Sequence, residues 1–347
     1  MLCVWYGASP LYQFPPVEPF RGERLFNPYS QNVNPWWKVN LHAHSRAWMG
    51  LTNGRSTTDE MIARYRALRY DVAEVSNYDE ITASRRGELT VYEQGYNLNK
   101  THLLVVGARH VDWWDYPLFQ GANEKQDRID RLHGDGALIV LAHPQLRHGF
   151  SASDLQRLTG YEAIEVASHF GDGERYWDAG LSAGRLSTAV GGDDSHNASD
   201  PRQTGHVWTM IAAPSVSPAD IIAAIRAGAT YVVVSSVGEG RADAALQGVE
   251  TRGDTIAVSI DGAAATVSFI GQNGRVLSVV RNTCSAHYVL PDTEPYARAV
   301  VETSRARLIL NPVVRTDGGR PPGQEASTRA TARVRMTAGL FLLVLSL

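Results

Sequence analysis

Histidines and carboxylates recur in this chain at spacings suited to a bound cation. His42-Ala43-His44 follows the β-like run 38–41, Lys-Val-Asn-Leu. Alternate residues of an extended strand share a face, so both imidazoles can turn toward one ion. His143 follows an apolar run at 138–141 and precedes Pro144, and Gly191-Gly192-Asp193-Asp194-Ser195-His196 closes another apolar run. Nitrogen and oxygen donors of this kind suit zinc, manganese or iron. Each segment alone also has an ordinary reading: paired surface histidines, a satisfied core histidine, an acidic turn capping a helix. Taken together, three strand ends scattered along the chain each deliver a donor, and α/β folds gather such ends on one rim.

The elements that must position these residues are legible as alternating runs. Residues 38–41, 72–75, 103–106, 137–141, 163–166, 187–190 and 231–234 read as strands. Helical patterns lie between them at 125–132, 153–158, 175–183 and 218–227, and Thr57 with Glu60 is spaced as a capping box ahead of a further helix carrying Met61, Ile62, Tyr65 and Leu68. This alternation predicts parallel strands with crossover helices. After residue 238 shorter alternating runs appear at 255–260, 266–270, 276–280, 287–290 and 297–301, with Asn273-Gly274 placed as a type I′ hairpin turn. The expected division is an N-terminal extension (1–35), an α/β unit (36–237), a small antiparallel β-sandwich-like module (238–314) and a loosely ordered tail (315–347).

Composition narrows the class. The 347 residues are 44% hydrophobic and 20% charged, with a net charge of −3. No basic excess marks a nucleic-acid surface. Cys3 and Cys284 form no knuckle or disulfide framework. The apolar run 339–347 is too short to span a bilayer, which takes about 20 residues. The first residues show no charged-then-apolar leader, which weakly favours the cytoplasm.

The donor segments, in their order, resemble the PHP (polymerase and histidinol phosphatase) superfamily, and residues 37–38 and 222–231 resemble its carbaryl-hydrolase-like (CehA/McbA) branch. The segments carrying the resemblance are Asn40-Leu41-His42-Ala43-His44, Ser76-Asn77-Tyr78-Asp79, Gly107-Ala108-Arg109, Ala142-His143-Pro144 and Gly192-Asp193-Asp194-Ser195-His196, covering about residues 36–200. The resemblance implies a distorted seven-stranded β/α barrel and a cluster of divalent transition metals.

Two departures alter that expectation. Asn77 and Tyr78 stand where the family places an aspartate and a histidine, and Arg109, followed by His110, stands where it places a metal-bridging glutamate. An arginine keeps its proton in a protein, and a fixed cation about 4 Å from another opposes it by about 4 kcal/mol per unit charge. The expectation is therefore a reduced site, with one ion held by His42, His44 and Asp194. Asp194 is preferred to Asp193 because it lies two residues before His196. His110, His143 and His196 remain nearby as ligands, acid–base groups or phosphate binders, and Glu165 stands near the rim. Arg109 is expected to point inward, paired with Asp79, Asp194 or Glu165. The polar-aromatic segments 92–100 and 112–116 are expected at the pocket mouth, where Lys100 and Arg109 would meet an anionic small-molecule substrate or pair with Asp79 or Asp112. The resulting expectation is a hydrolase of a phosphate ester or related ester or amide, with His143 and His196 moving protons and Arg109 offsetting developing charge. The alternative is an inactive barrel that binds a ligand through its rim.

Overall fold

The computed structural model describes residues 6–7, 9–30, 34–82, 88–134, 136–323 and 325–330. Cys3 and the apolar run 339–347 lie outside them. Two short strands, β1 (Leu11–Gln13) and β2 (Arg24–Phe26), precede β3 (Trp36–Asn40). The helix α1 (Thr58–Ala67) follows, opened by the capping box: Glu60 N–H donates to Thr57 Oγ1 at 3.3 Å and Thr57 N–H to Glu60 Oε2 at 2.7 Å.

Next come β4 (Val72–Ala73), β5 (Val91–Gln94), β6 (Leu103–Val106), α2 (Ala122–His133), β7 (Leu138–Leu141), α3 (Ala152–Arg157), β8 (Ala163–Ser168), β9 (Gly171–Asp172), α4 (Glu174–Ser182) and β10 (Thr188–Gly191). Strands β5 to β7 are buried at every residue, the pattern of strands covered on both faces. After β11 (Val207–Ala212), α5 (Pro218–Ala227) starts with Ser217 as N-cap and Pro218 in its first turn, and stops at left-handed Gly228. The rest is β12 (Thr230–Ser235), β13 (Ala244–Arg252), β14 (Thr255–Gly262), β15 (Ala265–Ile270), β16 (Val276–Thr283), β17 (Ser285–Val289), β18 (Tyr296–Glu302), β19 (Ala306–Leu310), β20 (Val313–Thr316) and β21 (Ser327–Ala330). Asn273 and Gly274, both at positive φ, turn β15 into β16 as expected.

These strands make a mixed α/β fold, but the ladders do not close into the expected seven-stranded barrel among the described residues. One sheet has the order β10-β8-β7-β6-β5, with β9 beside β8, and a larger one runs β16-β15-β18-β19-β12-β11-β3-β4. Two isolated bridges, Ala43 to Ser195 and Tyr78 to Glu93, link the two sheets. The expected parallel pairing also fails: β6 runs antiparallel to both β5 and β7, and β11 to both β3 and β12.

The larger sheet passes without a break through the 237/238 position, because β12 pairs with β19. The three-stranded sheet β13-β14-β17 packs on it across one apolar cluster that includes Leu246, Ile256, Val258, Phe269 and Leu308. Arg298 on β18 pairs with Asp178 (2.8 Å) and Glu174 (2.5 Å) on α4 and so ties these strands to the rest. The N-terminal strands clasp the C-terminal ones, β1 on β21 and β2 on β20.

Candidate metal centre

The residues that follow β3, β7 and β10 bring histidines and a carboxylate together. The ends of β3 and β10 are zipped by backbone hydrogen bonds: Asp194 N–H donates to His42 O (3.0 Å) and His44 N–H to Ser195 O (2.7 Å). A Cβ on Gly192 would sit 2.9 Å from the His42 Cβ, so glycine is needed for this approach. His143 and Asp194 both hold left-handed backbone (φ 24° and 49°), which turns each side chain back across the strand ends. Such a conformation costs about 1–3 kcal/mol and persists where surrounding structure enforces it.

The result is a buried group of five side chains, none more than 2% exposed: His42, His44, Glu93, His143 and Asp194. His44 Nε2 lies 3.0 Å from Glu93 Oε2 and 3.1 Å from Asp194 Oδ1, and His42 Nε2 lies 3.2 Å from Asp194 Oδ1 and 3.6 Å from Glu93 Oε2. These four atoms, His42 Nε2, His44 Nε2, Glu93 Oε2 and Asp194 Oδ1, are buried without a hydrogen-bond partner. Buried polar atoms left this way are costly, and their crowding fits a common cation. Two triads meet the spacing of a metal site, His42–Glu93–His143 and His42–His44–Asp194.

A further layer orients these donors. Glu165 Oε1 accepts from His42 Nδ1 at 2.8 Å, leaving His42 Nε2 to face the cluster, and Glu165 Oε2 accepts from His143 N–H at 2.8 Å. Glu93 Oε1 accepts from His102 Nδ1 (2.5 Å) and from His143 Nε2 (2.9 Å). The His44 ring is stacked between Tyr78 (4.4 Å) and His196 (4.5 Å). His196 Nδ1 donates to the Asp194 carbonyl at 2.9 Å, and its Nε2 lies 3.4 Å from Tyr78 Oη. At 13% exposure it reaches the mouth. Asn77 braces the turn beneath, accepting from Ser45 N–H at 2.9 Å.

Charge is strongly coupled here. Burial alone would discharge His42, but Asp194, Glu165 and Glu93 hold its pKa well above 6.5. Burial likewise opposes charge on His44 and His143, and the Glu93 and Asp194 carboxylates raise both. Burial would raise Glu93 and Asp194, yet the imidazoles keep both carboxylates low. Burial pushes His102 and His196 down to about 4, against the pull of nearby carboxylates. Without a cation the basin is neutralised by protons on imidazoles, which a metal would displace.

Arg109 and His110 are not in this group. Both are exposed, beyond the far end of β6. The inward Arg109 is thus corrected: it assumed that β6 runs parallel to its neighbours, but β6 runs the other way and brings its beginning, His102, to the site. Asp112 pairs with Arg131 (3.2 Å) rather than with Arg109. The carboxylate lying between both triads is Glu93, at the end of β5, in the segment read only as pocket rim. Its signal was a single acid inside an alternating Val-Tyr-Glu run, and that of His102 was its place just before an apolar strand. Asp193 turns away, its oxygens accepting from the N–H groups of Gly205 (2.6 Å), His206 (2.9 Å) and Val207 (2.8 Å). At the mouth, Trp48 packs edge-on to Trp113 at 5.4 Å, Lys100 Nζ lies 5.5 Å from the Tyr78 ring, and Phe170 stands 6.1 Å from His143.

No protein-family model matches the chain, and no curated protein matches it. Among solved structures it is similar to a crystal structure of a two-domain protein containing a predicted PHP-like metal-dependent phosphoesterase from Bacteroides vulgatus, at 14% identity and a TM-score of 0.44, over 91% of this chain and 99% of that one. So distant a likeness leaves function to the geometry of the site. Among the described residues no helix is long and apolar enough to cross a membrane.

Proposed function

We propose that the chain is a PHP-type metal-dependent hydrolase acting on a phosphate ester or a related ester or amide of a small, anionic molecule. The observation that carries this reading is the crowding of His42 Nε2, His44 Nε2, Glu93 Oε2 and Asp194 Oδ1 within 3.0–3.6 Å contacts, all buried and without hydrogen bonds. Imidazole with carboxylate is the donor set of zinc, manganese and iron sites. His42, His44 and Asp194 would hold one ion, and Glu93 with His143 would extend the site toward a second. A divalent ion so held supplies Lewis acidity and a water that ionises near neutral pH.

The chain's own residues then divide the work. Glu165 holds His42 in the tautomer that turns Nε2 inward, and Glu93 keeps the His44 and His143 halves in register. His196 is the proton carrier, being the imidazole that reaches the mouth, with Tyr78 Oη beside it. Lys100, over the Tyr78 ring, meets the anionic end of the substrate. The inactive-barrel alternative drew its motive from three ligand losses, at Asn77, Tyr78 and Arg109, and the position of Glu93 beside His44 and His143 answers the third of them.

The test is metal analysis of protein purified without added metal, followed by a screen of model phosphate and carboxyl esters. Near-stoichiometric transition metal and chelator-sensitive hydrolysis are expected. His196→Ala should keep its metal and lose about 10²–10⁴-fold in turnover, the range for a lost acid–base group. Protein that takes up no zinc, manganese or iron under saturating conditions overturns the reading.

A further inference from the structure

One guanidinium braces the site from outside it. Arg128, midway along α2, is buried to 1% exposure. Its five N–H donors all find acceptors. Nε donates to Gln94 Oε1 (3.0 Å), Nη2 to Gln94 O (3.1 Å) and also to Gln94 Oε1, and Nη1 to Thr101 O (2.7 Å) and Gln120 Oε1 (2.8 Å). Gln94 follows Glu93, and Thr101 precedes His102. The fork therefore grips the chain beside each member of the Glu93–His102 pair, at both ends of the loop joining β5 to β6. Side chains alternate along a strand, so Glu93 faces the ligands while Gln94 faces Arg128.

The surroundings fit that one task. Asp115 balances the charge, with Oδ1 3.2 Å from Arg128 Nε, and its Oδ2 accepts from Tyr96 N–H (2.8 Å) and Asn97 Nδ2 (3.0 Å) in the same loop. Asn97 Oδ1 accepts from Thr101 N–H at 2.8 Å. Gly95, at φ 135°, lies so close that a Cβ there would stand 3.0 Å from Arg128 Nη2. A buried ion pair is weak evidence of added stability, whereas a rigid, fully used fork fixes geometry.

We propose that Arg128 is a positioning residue of the metal centre, holding Glu93 against His102 and thereby setting the Glu93–His143 half of the site. The proposal rests on the metal-binding reading above. Arg128→Lys keeps the charge and loses the fork. Two measurements follow: ¹⁵N-histidine spectra of metal-free protein, and zinc affinity by competition with a chelator. Wild type should show a low-field His102 Nδ1–H signal, from its bond to Glu93. In Arg128→Lys that signal should be lost and zinc affinity should fall about tenfold or more, the scale of lost outer-layer support. A merely structural Arg128 would lower the unfolding midpoint and leave the signal and affinity of the folded variant unchanged, which overturns the proposal. If Arg128→Lys does not fold, Gln94→Met, which removes the side-chain acceptor of the fork, takes its place: loss of the signal and of affinity supports the proposal, and no change in either overturns it. Wild type that binds no zinc, with a His102 signal still lost in the variant, sinks the metal reading while upholding Arg128 as the anchor of the pair.

Discussion

Replacing Glu93 by glutamine separates the site drawn here from the one expected with Arg109 inside. Glutamine keeps the shape and one acceptor oxygen, so the bonds from His102 and His143 to Oε1 can persist. The lost oxygen is the one facing His44 (3.0 Å) and His42 (3.6 Å), and an amide N–H₂ there points donors at the ion site. Removing one negative charge about 4 Å from a divalent cation forfeits about 8 kcal/mol of attraction, at about 4 kcal/mol per unit-charge pair and moderate effective dielectric. If only about a third of that survives relaxation and the loss of a desolvation cost, binding still weakens about a hundredfold, at about 1.4 kcal/mol per tenfold. Isothermal titration of the metal-free protein with zinc and with manganese measures it, alongside metal content after purification. Glu93→Gln with wild-type affinity for both ions would refute the assignment of Glu93 as a ligand.

Three further outcomes follow from the same geometry. Arg109→Glu and His110→Ala should leave metal content unchanged, since both residues lie beyond the far end of β6; a change in either by elemental analysis would mean that the β6 direction is wrong. Asp193→Asn should lower stability by about 3 kcal/mol in denaturant unfolding, because the new amide meets the Gly205 N–H and Tyr65 hydroxyl donors at Oδ2 and buried unpaired donors cost about 1–3 kcal/mol each; unchanged stability would refute it. Glu74 is raised from 4.5 to about 8 by burial and by Glu88, so folding takes up a proton there, and its contribution is intact below pH about 4.5 and lost as pH rises through about 8. Glu74→Gln should therefore match wild type near pH 4.5 and exceed it above pH about 8 by about 1–3 kcal/mol, and equal stabilities there would count against the shift.

Local signals in the chain were enough for most elements and for three of the donors that the fold brings together, His42, His44 and Asp194. The capping box at Thr57 and Glu60, the Pro218 start of α5 and the Asn273-Gly274 turn each depend on residues a few positions apart, so they form wherever the chain is placed. The same holds for His42 with His44, whose shared face follows from strand geometry, and for Asp194 with His196. Whether a strand runs up or down is not a local property. Leu103–Val106 is apolar in either direction, and only its hydrogen bonding between β5 and β7 decides that His102, not Arg109, meets the other donors. The place of Glu93 was hidden for the same reason, since a lone carboxylate in a strand becomes a candidate ligand only when imidazoles from beyond β3 and β7 arrive beside it. How the two sheets meet was equally out of reach: the two bridges between them, Ala43 to Ser195 and Tyr78 to Glu93, span residues more than a dozen positions apart. The residue types alone pointed to a cation; the strand directions, set by pairing across the whole fold, decided which carboxylate stands between the histidines.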